Sequence, residues 1–124
     1  MAITPPVMND DTSMLVHKML QLSQERQSVI ANNISNASTP NYIRRELDFE
    51  GKLADAVKGG DIDGVMDVRG SIVQDRDRPS RHDGNNISLP SEMNEMMQNS
   101  LLHQLLSRAY TTRLNILKSA ITGK

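Results

Sequence analysis

Six of the seven glycines in this 124-residue chain lie between Gly51 and Gly84, with only Gly123 outside. Glycine and proline are the strongest local breakers of regular structure, so the glycine-rich stretch reads as irregular and the two flanks as helices. The expected fold is mainly α, with two long terminal amphipathic helices packed as a coiled-coil-like pair. Between them lies a short irregular middle segment with room for short strands. The expected organisation is a flexible N-terminal segment over 1–11, an N-terminal axial helix over 12–36, a turn, extended arm and irregular middle over 37–87, and a C-terminal axial helix over 88–124.

The first helix is expected to begin near Asn9-Asp10-Asp11-Thr12, whose short polar side chains suit the exposed N–H groups of a first turn. Leu15, Met19, Leu22, Val29 and Ile30 recur at three-to-four-residue spacing, Ile34 continues that face, and Leu15–Leu22–Val29 is a heptad. About 24 residues would make a rod of roughly 36 Å. Asn36 is the expected left-handed cap, and Thr39-Pro40 prevents continuation.

The second helix is expected to start within Ser88–Ser91, with Pro90 in its first turn. Met93, Met97, Leu101, Leu105, Ala109, Thr112, Ile116 and Ala120 step by four or three, and Met96, Leu102, Leu106 and Leu117 widen the apolar stripe. The expected helix seam is therefore Leu15, Met19, Leu22 and Val29 on one side and Met97, Leu101, Leu105, Ala109 and Ile116 on the other. Two helices and a thin middle have difficulty covering so broad a stripe. One face is thus expected to pack within the chain and another against other subunits.

The middle is less sharply patterned. Residues Ile43 to Phe49 partly alternate, as a short strand or extended arm would. Phe49, Leu53, Ala56 and Val57 fit two helical turns before Gly59-Gly60, and Val65 to Val73 fits a strand broken by Gly70. Gln74 to Asn86 is charged and turn-rich, hence an expected exposed loop.

Chemistry is hard to find. Tyr42, Phe49 and Tyr110 are the only aromatic residues, too few to line a ring-rich pocket. His17, His82 and His103 are scattered without metal-ligand spacing. Gly59-Gly60 lacks the Gly-Lys-Ser/Thr of a phosphate loop, and no nucleophile elbow appears. Asp61, Asp63 and Asp67 lack the closing glutamate of a calcium loop. With no cysteine, thiolate metal sites and disulfides are excluded. No catalytic residue, cofactor or metal is expected. A net charge of −1, with Arg76, Arg78 and Arg81 alternating with Asp75, Asp77 and Asp83, argues against nucleic acid. The apolar runs are too short to span a bilayer, and Met1 to Pro6 lacks the basic and apolar regions of a cleaved secretory signal.

Two motifs carry a resemblance. Ala31-Asn32-Asn33-Ile34-Ser35-Asn36-Ala37-Ser38-Thr39-Pro40-Asn41-Tyr42 resembles the NIANA-x-TP-G-Y signature of bacterial flagellar axial proteins, the rod, hook and hook-associated subunits. Asp83-Gly84-Asn85-Asn86-Ile87-Ser88-Leu89-Pro90-Ser91-Glu92-Met93 and the ending Leu117 to Gly123 resemble the DGNNV-x-L-x-x-EM segment and the L-(R/K)-S-A-I-x-G tail of the basal-body rod members. Asn41 stands where the family usually has glycine, Ser35 where alanine is common, and Ser38 where an acidic residue is common.

The resemblance implies a structural subunit of the proximal rod rather than an enzyme, self-assembling with other rod proteins into the drive shaft. It implies an assembly motif of Asn32, Asn33, Ile34, Asn36, Thr39, Pro40 and Tyr42, in which Asn33 pairs backbone amides at the helix end and Pro40 makes the turn. Implied partners are other rod proteins, copies of itself, and membrane-ring and export-gate components, with no nucleic acid and no direct bilayer insertion. The implied location is the periplasmic rod, reached through the type III apparatus without signal cleavage. A soluble helical export chaperone or adaptor is the alternative.

Overall fold

A computed structural model of the chain describes residues 11–123. Helix α1 runs Asp11–Ser35 and α4 runs Leu89–Thr122. Between them come β1 (Arg45–Asp48), α2 (Glu50–Lys58), α3 (Ile62–Met66) and β2 (Ser71–Gln74). The fold is thus mostly helical, with two long helices and a short middle containing two short strands. The expectation of a flexible segment over 1–11 falls almost wholly outside the described residues.

Local signals account for the ends of α4. Ser88 caps its N-terminus with an extended backbone, its hydroxyl facing the Ser91 N–H, and Pro90 sits in the first turn. Gly123 ends it at φ 72°, donating its N–H to the Ser119 carbonyl. The end of α1 differs from expectation. Asn36 does not adopt the left-handed conformation. Its N–H donates to the carbonyls of Asn32 and Asn33, prolonging the helical pattern. Asn41 is instead the one non-glycine residue at positive φ among the described residues, at 62°. Asparagine tolerates that region because its short side chain bonds locally, so it serves where the family has glycine.

The expected strand over Val65 to Val73 divides: Val65 belongs to α3, and only Ser71–Gln74 pairs with β1. Asp61 causes the division by capping α3, its carboxylate accepting from the Asp63 N–H at 3.0 Å. The two strands are antiparallel, with Arg45 opposite Gln74 and Leu47 opposite Ile72.

The core is Leu22, Val29, Leu47, Phe49, Leu53, Val65 and Val68, with Leu15, Met19, Ala56 and Ile62 packed against it. The apolar face of α1 therefore packs on the middle segment. This corrects the expected seam: Leu15, Met19, Leu22 and Val29 pack with the middle segment rather than with the expected row of α4. Met97, Leu101, Leu105, Ala109 and Ile116 are all exposed, Leu105 by 66%. The middle segment supplies the apolar cover that α1 needs, and α4 turns a different face inward.

That inner face is Glu92, Met96, Asn99, His103, Leu106, Tyr110, Arg113 and Leu117, buried or half-buried throughout. It carries a row of polar contacts with α1. Asn99 Nδ2 donates to the Ser23 carbonyl at 2.8 Å and to Gln27 Oε1 at 2.7 Å. Gln27 Nε2 donates to Ser100 Oγ at 3.0 Å, Ser23 Oγ meets His103 Nδ1 at 2.8 Å, and Arg113 Nε donates to Ser13 Oγ at 2.8 Å. The tilted rings of His17 and Tyr110 lie 6.0 Å apart. Hydrogen bonds need specific partners, whereas an apolar face accepts any apolar neighbour. The polar row therefore selects the intrachain contact and sets the antiparallel register of α1 and α4.

Candidate functional site

The two sequence motifs meet where α1 ends and α4 begins. Asn33, on the last turn of α1, is fully buried. Its Nδ2 donates to the Arg45 carbonyl at 2.8 Å and to Glu92 Oε2 at 3.2 Å, while its Oδ1 accepts from the Arg45 N–H at 3.0 Å. The backbone amide that Asn33 pairs at the helix end is thus that of Arg45, 12 residues on. It pairs both backbone groups of a residue in β1, standing where a neighbouring strand would stand. Seven residues earlier on α1, Arg26 donates to the Leu47 carbonyl at 2.8 Å and lies over the Phe49 ring, 4.4 Å from its centroid. These two side chains seal the outer edge of β1.

The Asp83–Asn86 turn closes onto the same region. Asn85, fully buried, donates to the carbonyls of Asn36 and Thr39 at 2.8 and 2.9 Å and accepts from the Ile87 N–H at 2.8 Å. Asn86 accepts from the Arg44 N–H at 2.7 Å and donates to the Asp75 carbonyl at 2.7 Å, terminating the sheet with a side chain. The Asn41 N–H donates to the Asp83 carbonyl at 2.8 Å. Gly84, at φ 81°, leaves no room there: an added Cβ would lie 2.3 Å from Asn41 Oδ1. Arg81 donates to the carbonyls of Ala37 and Ile87. The expected exposed loop is thus exposed only in part. Its last two asparagines are buried, and each satisfies backbone groups of other segments.

Arg44 is the electrostatic centre. Its side chain is 2% exposed and Glu92's is 0% exposed, and the two are directly paired through Nε. The guanidinium also contacts Glu46, Asp75 at 3.0 Å and Glu95 at 2.5 Å. Burial alone lowers the Arg44 pKa, but the hydrogen bonds it donates to Glu46 and Glu92 and the charges of Glu92 and Glu95 outweigh it, so the guanidinium is held above its ordinary value. Arg78 extends the cluster through Asp75 at 3.2 Å and Glu95 at 3.5 Å. Among the described residues no buried side-chain polar atom lacks a partner. Sequence reading missed Arg44 and Glu92; the only signal was Glu92 in the motif that begins α4.

Of the expected assembly motif, the structure brings Asn33 and Asn36 into the clasp, and Thr39 and Tyr42 through their carbonyls, Tyr42 accepting from the Asn86 N–H at 3.4 Å. Asn32 contributes its carbonyl to the Asn36 amide at 2.8 Å. Pro40 is exposed at the turn and Ile34 is half-buried. Beside the clasp lies an open groove of about 630 Å³, bounded by Arg26, Leu47, Val73, Glu95 and Leu102. Among the described residues no group of His, Asp and Glu is placed to hold a metal ion, and no helix is long and apolar enough to cross a membrane.

The hydrogen bonds and ion pairs of this site join the end of α1, the middle segment and the start of α4, as in a structural subunit. Comparison with known proteins agrees. Residues 20–42 match the family described as "Flagella basal body rod protein". The chain is 33% identical to the flagellar basal body rod protein FlgB of Borrelia hermsii over 111 residues, covering 75% of this chain and 82% of that protein. It is 34% identical to FlgB of Bacillus subtilis over 107 residues, with 79% and 83% covered. To FlgB of Escherichia coli it is 30% identical over 122 residues, with 81% and 88% covered. The chain belongs to the FlgB family of flagellar basal body rod proteins.

Proposed function

We propose that the chain is a proximal-rod subunit whose two long helices lie roughly along the rod axis, with residues 12–36 and 88–124 as axial segments and 37–87 as the clasp between them. The observation that carries this reading is the exposed apolar row of α4. Met93, Met97, Leu101, Leu105, Ile116 and Ile121 are more than half exposed. A row of that length along one helix is an association surface. Heterologous contacts that do not close into a ring generate a tube. Neighbouring copies and other rod proteins would bury the row.

The inner row of α4 steps by four and three from Glu92 to Leu117, which supports a coiled-coil-like pairing with α1 whose polar positions specify register. Passage through the type III apparatus to the periplasm, contact with membrane-ring and export-gate components, and partial disorder of the free termini before incorporation belong to the same reading. Electron cryo-tomography of basal bodies in a strain lacking the gene tests it. Membrane rings without a rod are expected. Complete rods and filaments would reject it and favour a soluble export adaptor.

A further inference from the structure

The two-stranded sheet has one sealed edge and one open edge. The Asp75 N–H donates to the Arg44 carbonyl at 2.8 Å, which fixes the phase of the antiparallel ladder. Residues 46 and 48 of β1 then bond to 73 and 71 of β2, and the N–H and C=O groups of Arg45 and Leu47 point away from the pair. Asn33 takes both groups of Arg45, and Arg26 donates to the Leu47 carbonyl. On β2 the same phase sends the backbone groups of Ile72 and Gln74 outward. There Ile72 is 61% and Val73 41% exposed, and Ser71-Ile72-Val73-Gln74 carries no charge to discourage pairing.

We propose that the open edge of β2 pairs with the β2 edge of a second copy of this chain, antiparallel about a twofold axis at Val73. In that register Ile72 faces Gln74 of the other copy and the reverse, so all outward backbone groups bond, and the two Val73 side chains meet at the axis. Arg69 then falls opposite Asp77 of the other copy, twice by symmetry. Both residues are exposed, and among the described residues neither has an ion-pair partner within its own chain. The charges at the two ends of the edge are therefore self-complementary, which identifies a second copy as the occupant. A twofold contact closes on itself and cannot propagate along a polar tube. This dimer therefore belongs to the free chain and is independent of the rod reading, which tomography tests separately.

Sedimentation equilibrium of the full chain across a concentration series decides the matter. A concentration-dependent dimer is expected. Ile72→Pro removes an outward N–H while leaving the intrachain ladder intact, and is expected to be monomeric with an unchanged circular dichroism spectrum. Asp77→Arg is expected to weaken the dimer about tenfold, because it converts two attractive pairs into repulsive ones. Arg69→Asp combined with Asp77→Arg is expected to restore it, a rescue that misfolding would not produce. A monomer at every concentration, an assembly larger than two, or a dimer that survives Ile72→Pro but is lost with Leu105→Asp would overturn the proposal.

Discussion

Asn33 and Arg45, 12 residues apart, are joined as adjacent strands would be, with the amide side chain of one pairing both backbone groups of the other. One side chain thus ends a helix, closes a sheet edge and reaches Glu92 on α4. Asn33→Ala leaves two part-buried backbone groups and the buried Glu92 without that partner and is expected to cost about 2–4 kcal/mol, read by urea denaturation. Asn33→Asp is expected to be as damaging, because a carboxylate cannot donate to the Arg45 carbonyl and brings a negative charge to Glu92. Unfolding midpoints like that of the parent chain would show that the amide is dispensable.

The Arg44–Glu92 pair is buried on both sides. Removing one partner strands a charge, and a loss of about 3–5 kcal/mol is expected for Arg44→Met. Arg44→Met combined with Glu92→Met is expected to recover part of that loss, because the one carboxylate with a fully buried side chain is removed along with its partner. A double variant as unstable as the sum of the singles would show the two groups to be uncoupled.

Gly84 and Asn41 face each other at the tightest point of the clasp. Gly84→Ala adds a Cβ at positive φ against Asn41 Oδ1, and a loss of about 1–2 kcal/mol is expected. Asn41→Gly relieves φ at that position and also removes the obstructing side chain. It is expected to stay within about 1 kcal/mol of the parent, and combined with Gly84→Ala to suppress part of the damage. Thermal melts of the three variants test this.

Leu105 is exposed within the chain. Leu105→Asp is therefore expected to change monomer stability by no more than about 0.5 kcal/mol while abolishing rod assembly and swimming. A variant that unfolds would place Leu105 in the chain's own core. One that swims would remove it from the assembly surface.

Glu50 gives a pH dependence. Burial raises its pKa, but hydrogen bonds from Arg26 and the backbone N–H groups of Glu50 and Phe49 outweigh it, so the folded-state value lies below the usual glutamate range. The ionised form is thus favoured in the folded chain. Its contribution is present above the ordinary glutamate pKa and is lost as pH falls through the lowered value. Because the side chain is 61% exposed, the effect is expected to be small and weakened by salt. Glu50→Gln should flatten that part of the acid limb in a stability–pH profile.

The two long helices were legible in the residues, whereas α3 was not. Pro40, Gly123 and the Ser88 cap act on the backbone within a turn of where they stand, so helix ends follow from local stereochemistry. The asparagine-rich turn and the DGNN segment were equally visible. What they bind was not, because Asn33 meets Arg45 and Asn85 meets Asn36 only after the chain has folded back. The inward face of α4 was likewise a tertiary decision. Periodicity measures how apolar each face is but not what stands opposite. The most apolar row, through Met97, Leu101 and Leu105, faces outward because the middle segment already covers α1 and the polar row of α4 finds its hydrogen-bond partners there.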